Sequence, residues 1–117
     1  MIILEHVMGL FEEHLNNIKN GNKTIEVRLN DEKRKKIKTG DIIQFIKVPR
    51  DGKFIKVKVL DTTIFPTFKE MYENISAKEM GSCEESIEKM IEDTYEIYTP
   101  EQEKTYGTVA IKIKYLS

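Results

Sequence analysis

A chain of 117 residues with 39% apolar and 33% charged residues is expected to fold as one domain spanning residues 1–117 and to bury about two thirds of its unfolded surface. The mix excludes a disordered chain, and a net charge of −1 excludes a generally basic nucleic-acid coat. No stretch approaches the ~20 apolar residues of a membrane span, so no membrane partner is expected.

The N-terminus, Met-Ile-Ile-Leu-Glu-His-Val-Met, has neither a basic leader nor a long apolar run, so no secretory signal is expected. Cys83 is the single cysteine. It leaves no internal disulfide and fits a reducing, cytoplasmic setting.

Residues 2–8 are rich in Ile, Leu and Val and predict a first strand, broken by Gly9. Leu10, Phe11, Leu15 and Ile18 then recur at helical spacing, with Glu12 and Glu13 in the turn where the helix dipole favours acids. Lys19 closes this helix, and Asn20-Gly21 supplies the left-handed residue that ends it. Residues 21–29 read as a strand with Ile25, Val27 and Leu29 on one face and Thr24, Glu26 and Arg28 on the other. On spacing alone, that polar face favours a solvated sheet surface, the alternative being the floor of a cleft.

Asn30 is a candidate cap for one or two helical turns through Lys33, Arg34, Lys35 and Lys36. This run is the densest positive charge of the chain, either a solvated turn or a phosphate-facing rim. Thr39-Gly40-Asp41 is a turn, residues 42–48 a strand, and Pro49-Arg50-Asp51-Gly52 a hairpin. The return strand spans Phe54 to Leu60, its continuation through Thr62, Thr63 and Ile64 left open, and Pro66 stops the sheet. Phe68, Met71, Tyr72 and Ile75 form one helical face, and Ile87, Met90 and Ile91 a second. The acids Glu84, Glu85, Glu88, Glu92 and Asp93 are assigned to the solvent side of that second helix. Thr99-Pro100-Glu101-Gln102 is a capping box, and Thr108 to Leu116 a closing strand. The order lacks regular βαβ alternation, which points to an α+β fold: a small, mostly antiparallel barrel closed by the terminal strand, with flanking helices.

Charge is uneven along the chain. Residues 1–68 hold thirteen basic against nine acidic residues, and residues 69–104 hold four against eleven. One part of the surface is therefore suited to phosphate and another repels it. Glycine fingerprints for phosphate or dinucleotide cofactors are missing, as is any metal-ligand cluster of Cys and His, so neither cofactor nor metal is expected. His14 reads as a helix-surface residue and His6 as a partly buried strand residue. Tyr72, Tyr95, Tyr98 and Tyr106 fall at helical spacing or helix ends, as core and cap residues do. What remains is Lys23, Glu26 and Arg28. Arg28 offers a planar fork for a phosphate or carbonyl, Glu26 an acceptor for an exocyclic amine or a general base, and Lys23 a charge for phosphate or an oxyanion.

Gly21, Lys23, Glu26 and Arg28 match the G-x-K-x-x-E-x-R motif of the ASCH domain, and the chain resembles that family over nearly its whole length. Leu29-Asn30-Asp31-Glu32-Lys33-Arg34, Gly40-Asp41 and Tyr98-Thr99-Pro100-Glu101-Gln102-Glu103 extend the likeness. The resemblance implies a PUA-like β-barrel that binds RNA or a nucleotide, with Lys23, Glu26 and Arg28 lining a cleft and Gly21 turning the chain at its edge. Lys33 and Arg34 are assigned to steering phosphate. Some similar small proteins hydrolyse the acetyl amide of 4-acetylcytidine with a lysine, a threonine and a distant glutamate. Lys23 matches that lysine, Glu26 holds the threonine's place, and Glu79 is the nearest candidate for the glutamate. An amidohydrolase acting on an acylated nucleoside is thus the alternative, with Lys23, Glu26 and Glu79 as its catalytic set. No residue constellation singles out a ribonuclease. A protein-interaction module using the acidic helical half is the third reading.

Overall fold

The computed structural model describes residues 2–82 and 85–117. Met1, Cys83 and Glu84 lie outside them, and with them the expectations for the lone thiol and for the first acid of the second helical face. The strands are β1 (Glu5–Phe11), β2 (Ile25–Leu29), β3 (Ile42–Val48), β4 (Phe54–Phe65) and β5 (Thr108–Leu116). The helices are α1 (Glu12–Lys19), α2 (Phe68–Asn74), α3 (Ile87–Thr94) and α4 (Pro100–Tyr106). The strands form one sheet in the order β1-β3-β4-β5-β2, curled into a half-barrel with the helices at its flanks. Only the β1/β3 pair is parallel; β3/β4, β4/β5 and β2/β5 are antiparallel, as an α+β, mostly antiparallel fold requires. Among the described residues no helix is long and apolar enough to cross a membrane.

The terminal strand β5 lies inside the sheet, between β4 and β2, so the edges are β1 and β2. Twelve residues of β4, with a register shift between Val59 and Asp61, let it pair β3 from Phe54 to Lys58 and β5 from Lys56 to Phe65. Such an irregularity bends a strand and sharpens its twist, which helps the sheet to curl.

Alternation divides two cores. Val109, Ile111 and Ile113 of β5 face a first cluster with Phe45, Val57 and Leu15. Ala110, on the opposite face of β5, joins Ile25 and Leu29 in a second cluster under Phe68, Met71 and Met90. Phe68 and Met71 are fully buried, each stabilising the fold by about 2–3 kcal/mol relative to exposure. The helices start where their caps place them. Thr67 accepts from Glu70 N, Ser86 from Lys89 N, and Thr99 and Gln102 close the expected capping box. The buried Glu103 carboxylate accepts from the Phe68 amide at 2.8 Å and from the Tyr95 hydroxyl at 2.7 Å, joining α4 to the start of α2.

Two local expectations are corrected. Gly9 does not break the first strand, which runs from Glu5 through it to Phe11. The parallel ladder to β3 holds Gly9 opposite Ile46, and a Cβ at this position would stand 3.1 Å from a Val48 methyl; tertiary pairing overrides local propensity here. After β2, Asn30 is not the cap: its side chain accepts no backbone amide among the described residues, and its own amide donates to Gly107 O. Asp31 Oδ1 accepts from Arg34 N at 3.0 Å instead and starts a single 3-10 turn, Arg34–Lys36.

Candidate functional site

The site begins at the turn between α1 and β2. Gly21 takes φ +84°, a backbone shape that costs an L side chain about 1 kcal/mol or more, and its amide reaches Ile18 O. The chain then returns so that Lys23 N donates to Asn17 O at 3.0 Å, while Thr24 N and Ile25 N both donate to Glu79 O at 2.9 Å. Gly81, at φ +80°, lies against the Lys23 stem, leaving a hypothetical Cβ only 3.3 Å from Lys23 Cδ. Lys23 is thereby pressed inward, to 5% exposure.

Glu26 follows on β2 opposite Ile111, so it points to the side of the first core. It is 4% exposed. A carboxylate at such depth needs partners, and it has two cations and an amide. Lys23 Nζ is 3.0 Å from Oε1, Arg28 Nη2 and Nε donate to Oε2 at 2.9 and 3.2 Å, and Val27 N donates to Oε1 at 3.2 Å. Burial alone would push the Glu26 carboxyl up. The charges of Lys23 and Arg28, with their hydrogen bonds, overcome it and bring the pKa down to about 2. The polar face of β2 is therefore a buried ionic cluster, not the solvated surface that spacing alone favours.

Arg28 has a second task. Its Nη2 also donates to Gly9 O at 2.8 Å, and Lys33 Nζ donates to Val7 O at 2.6 Å. Carbonyls two residues apart on a strand point the same way, so these two cations occupy the side of β1 that faces away from β3. An exposed edge is protected, and the opposite edge strand β2 is tied to it by a guanidinium instead of a ladder. Nη1 of Arg28 makes no hydrogen bond among the described residues.

These groups open onto a cleft of about 620 Å³ between the end of the half-barrel and the α2/α3 pair. Its apolar wall includes Phe68, which stacks on Tyr98 at 5.7 Å and 10° and on Tyr72 at 6.1 Å and 28°. Burial pushes both phenols up, so they stand neutral in ordinary buffer. Glu13, Glu85 and Asp93 also line the cleft. With Glu26 already engaging both Lys23 and Arg28, its interior carries a surplus of carboxylates. Among the described residues no group of three or more His, Cys, Asp or Glu side chains forms a metal site.

Lys23, Glu26 and Arg28 thus converge on one concave wall. Gly21 shapes the turn behind it and is not part of the lining. Lys33 and Arg34 lie on the far side of Gly9 and Val48, in a second, smaller hollow of about 200 Å³. Glu79 is exposed and outside the cleft, contributing only its backbone carbonyl to the start of β2. One lining residue has a different place from that expected. His14 is not a helix-surface residue but faces the cleft from α1, with Nδ1 buried and unpartnered. Burial first, and then the Lys23 charge, lower its pKa, so the imidazole is neutral at pH 7. A signal for this existed in the sequence, since His14 stands four residues before Ile18, on the same face of α1.

Residues 8–117 match the model of the ASCH domain. Among solved structures, hypothetical protein PH0355 is 42% identical, with a TM-score of 0.88, covering 97% of this chain and 100% of that one. Protein PF0455 from Pyrococcus furiosus is also 42% identical, with a TM-score of 0.79 and coverage of 97% and 99%. A variant of ZmASCH from Zymomonas mobilis is 17% identical at a TM-score of 0.67, covering 94% of this chain and 67% of that one, a likeness of fold. No curated protein matches the chain at a significant level.

Proposed function

The chain belongs to the ASCH domain family, a family associated with RNA binding and built on the PUA-like α+β barrel, and from that premise we propose that it binds RNA or a nucleotide through the cleft at Lys23, Glu26 and Arg28. The observation that carries this reading is the buried carboxylate held between two cations at the mouth of an aromatic-walled cleft. Glu26 commits its acceptor sites to Lys23, Val27 N and Arg28 and so holds both cations in place, while Arg28 Nη1, without a hydrogen-bond partner among the described residues, offers donors to a ligand carbonyl. That donor suits a carbonyl on the hydrogen-bonding edge of a base, while the half-buried Tyr98 and Tyr72, backed by Phe68, supply flat surface for its ring. His14 adds a neutral polar atom, Nδ1, with no hydrogen-bond partner among the described residues.

Amide hydrolysis is the weaker reading. A carboxyl with a pKa near 2 is a poor proton acceptor at neutral pH, and Glu79 stands outside the cleft. The test is equilibrium binding of short oligoribonucleotides and mononucleotides at 50 and 200 mM salt. The reading predicts weaker binding at higher salt and a loss of at least about tenfold in Arg28→Ala, a charge-assisted hydrogen bond contributing about 1.5–3 kcal/mol. Binding indifferent to both would overturn it.

A further inference from the structure

The small hollow beside the cleft has the opposite electrostatic character. Lys33, Arg34 and Arg50 line it with Val7, Met8, Gly9, Ile46 and Val48, and among the described residues no carboxylate does so. The two chambers share Gly9 and Val48 as their common lip. Strand β1 holds a cation for each of them, with Arg28 on Gly9 O at the cleft and Lys33 on Val7 O at the hollow. A polar atom is also left over. Arg34 pairs with Asp31 through Nη1 at 3.2 Å, but its Nε is buried without a hydrogen-bond partner among the described residues. A buried guanidinium N–H without an acceptor is costly, and Arg34 Nη2, which makes no hydrogen bond among the described residues and is not buried, can donate to an anion in the hollow. Lys33 Nζ gives one of its three hydrogens to Val7 O, and Arg50 stands exposed on the β3/β4 hairpin.

From this we infer that the hollow is a phosphate subsite continuous with the cleft, so that the ligand is a nucleoside bearing a phosphate ester. The base lies among the aromatics, and the phosphate crosses the Gly9/Val48 lip to Lys33, Arg34 and Arg50. The inference rests on the nucleotide reading of the cleft and sharpens it. A phosphate inside the cleft would meet Glu13, Glu26, Glu85 and Asp93 with both cations already engaged. In the adjoining hollow Lys33 and Arg50 have no carboxylate partner among the described residues, and Arg34 alone is paired, with Asp31. The ester is either the terminal phosphate of a mononucleotide or the diester of an RNA chain, two sources of the same group.

The experiment measures affinities of the four ribonucleosides, their 5′- and 3′-monophosphates and a short oligoribonucleotide without terminal phosphates, all at 50 mM salt. For the nucleoside that binds, a phosphate in the hollow tightens binding about tenfold or more, and Arg50→Glu brings the phosphate-to-nucleoside ratio down to about one. A gain with the monophosphates identifies a terminal phosphate, and a gain only with the oligoribonucleotide identifies the diester. If nucleosides bind and phosphate adds nothing, or if the gain survives Arg50→Glu, the hollow is not the subsite while the reading of the cleft stands. If no nucleoside, nucleotide or oligoribonucleotide binds, both fall together.

Discussion

Replacing Glu26 by Gln tests whether the ionic cluster is as the geometry describes it. In the folded chain the carboxyl titrates at about 2, against an ordinary 4.5. That gap of about 2.5 units, at about 1.4 kcal/mol each, links ionised Glu26 to about 3 kcal/mol of stability. Because the folded pKa is the lower one, this contribution is complete above pH 4.5 and declines as pH falls toward 2. By pH 3 the unfolded chain has protonated this group while the folded chain still holds it ionised, and about 2 kcal/mol has gone. Urea unfolding of the wild type and Glu26→Gln at pH 7 and pH 3 reads the difference, with every other carboxylate cancelling. The wild type should lose about 2 kcal/mol more than the variant over this interval. At pH 7 the variant should be less stable by about 3–5 kcal/mol, since Lys23 and Arg28 stay buried without their counter-charge. Adding Lys23→Met should restore part of that loss. An equal acid response in both proteins would refute the buried ion cluster.

In an NMR titration His14 should protonate below the ordinary histidine range, and its midpoint should rise in Lys23→Met, which removes the second largest cause of its depression; a midpoint unmoved by Lys23→Met would place His14 away from the cluster. Gly81→Ala forces a side chain into φ +80° and to 3.3 Å from Lys23 Cδ, so it should cost about 1–2 kcal/mol of stability in chemical unfolding and weaken ligand binding through Lys23. An unaltered unfolding midpoint would mean that this contact is not tight.

Features set by nearby residues were legible in the sequence. The Thr99/Gln102 capping box, the hairpin before Phe54 and the alternation of β5 all follow from chemistry within a few positions, and the structure has them where the pattern puts them. The motif also pointed to the side chains that meet at the cleft, because Glu26 and Arg28 share a strand face and Gly21 fixes the turn that returns Lys23. Long-range partners were not legible. Gly9 reads as a breaker until β3 is laid parallel beside it, and the edge position of β2, opposite β1, depends on the whole strand order. The same holds for depth. A carboxylate on a strand faces water in most contexts, and only the two cations that enclose Glu26 make its burial tolerable. Arg50 lies on an ordinary hairpin turn, and its approach to Lys33 and Arg34 exists only once β1 separates the two hollows.

The central claim, that the wall formed by Lys23, Glu26 and Arg28 receives a nucleotide or RNA, is tested most directly by following backbone amide shifts as a short oligoribonucleotide is titrated into labelled protein. The account predicts that the largest changes fall at Lys23, Glu26 and Arg28, on His14 of α1 and at Tyr98. Changes confined to the acidic face of α3, or no changes at saturating ligand, would contradict it.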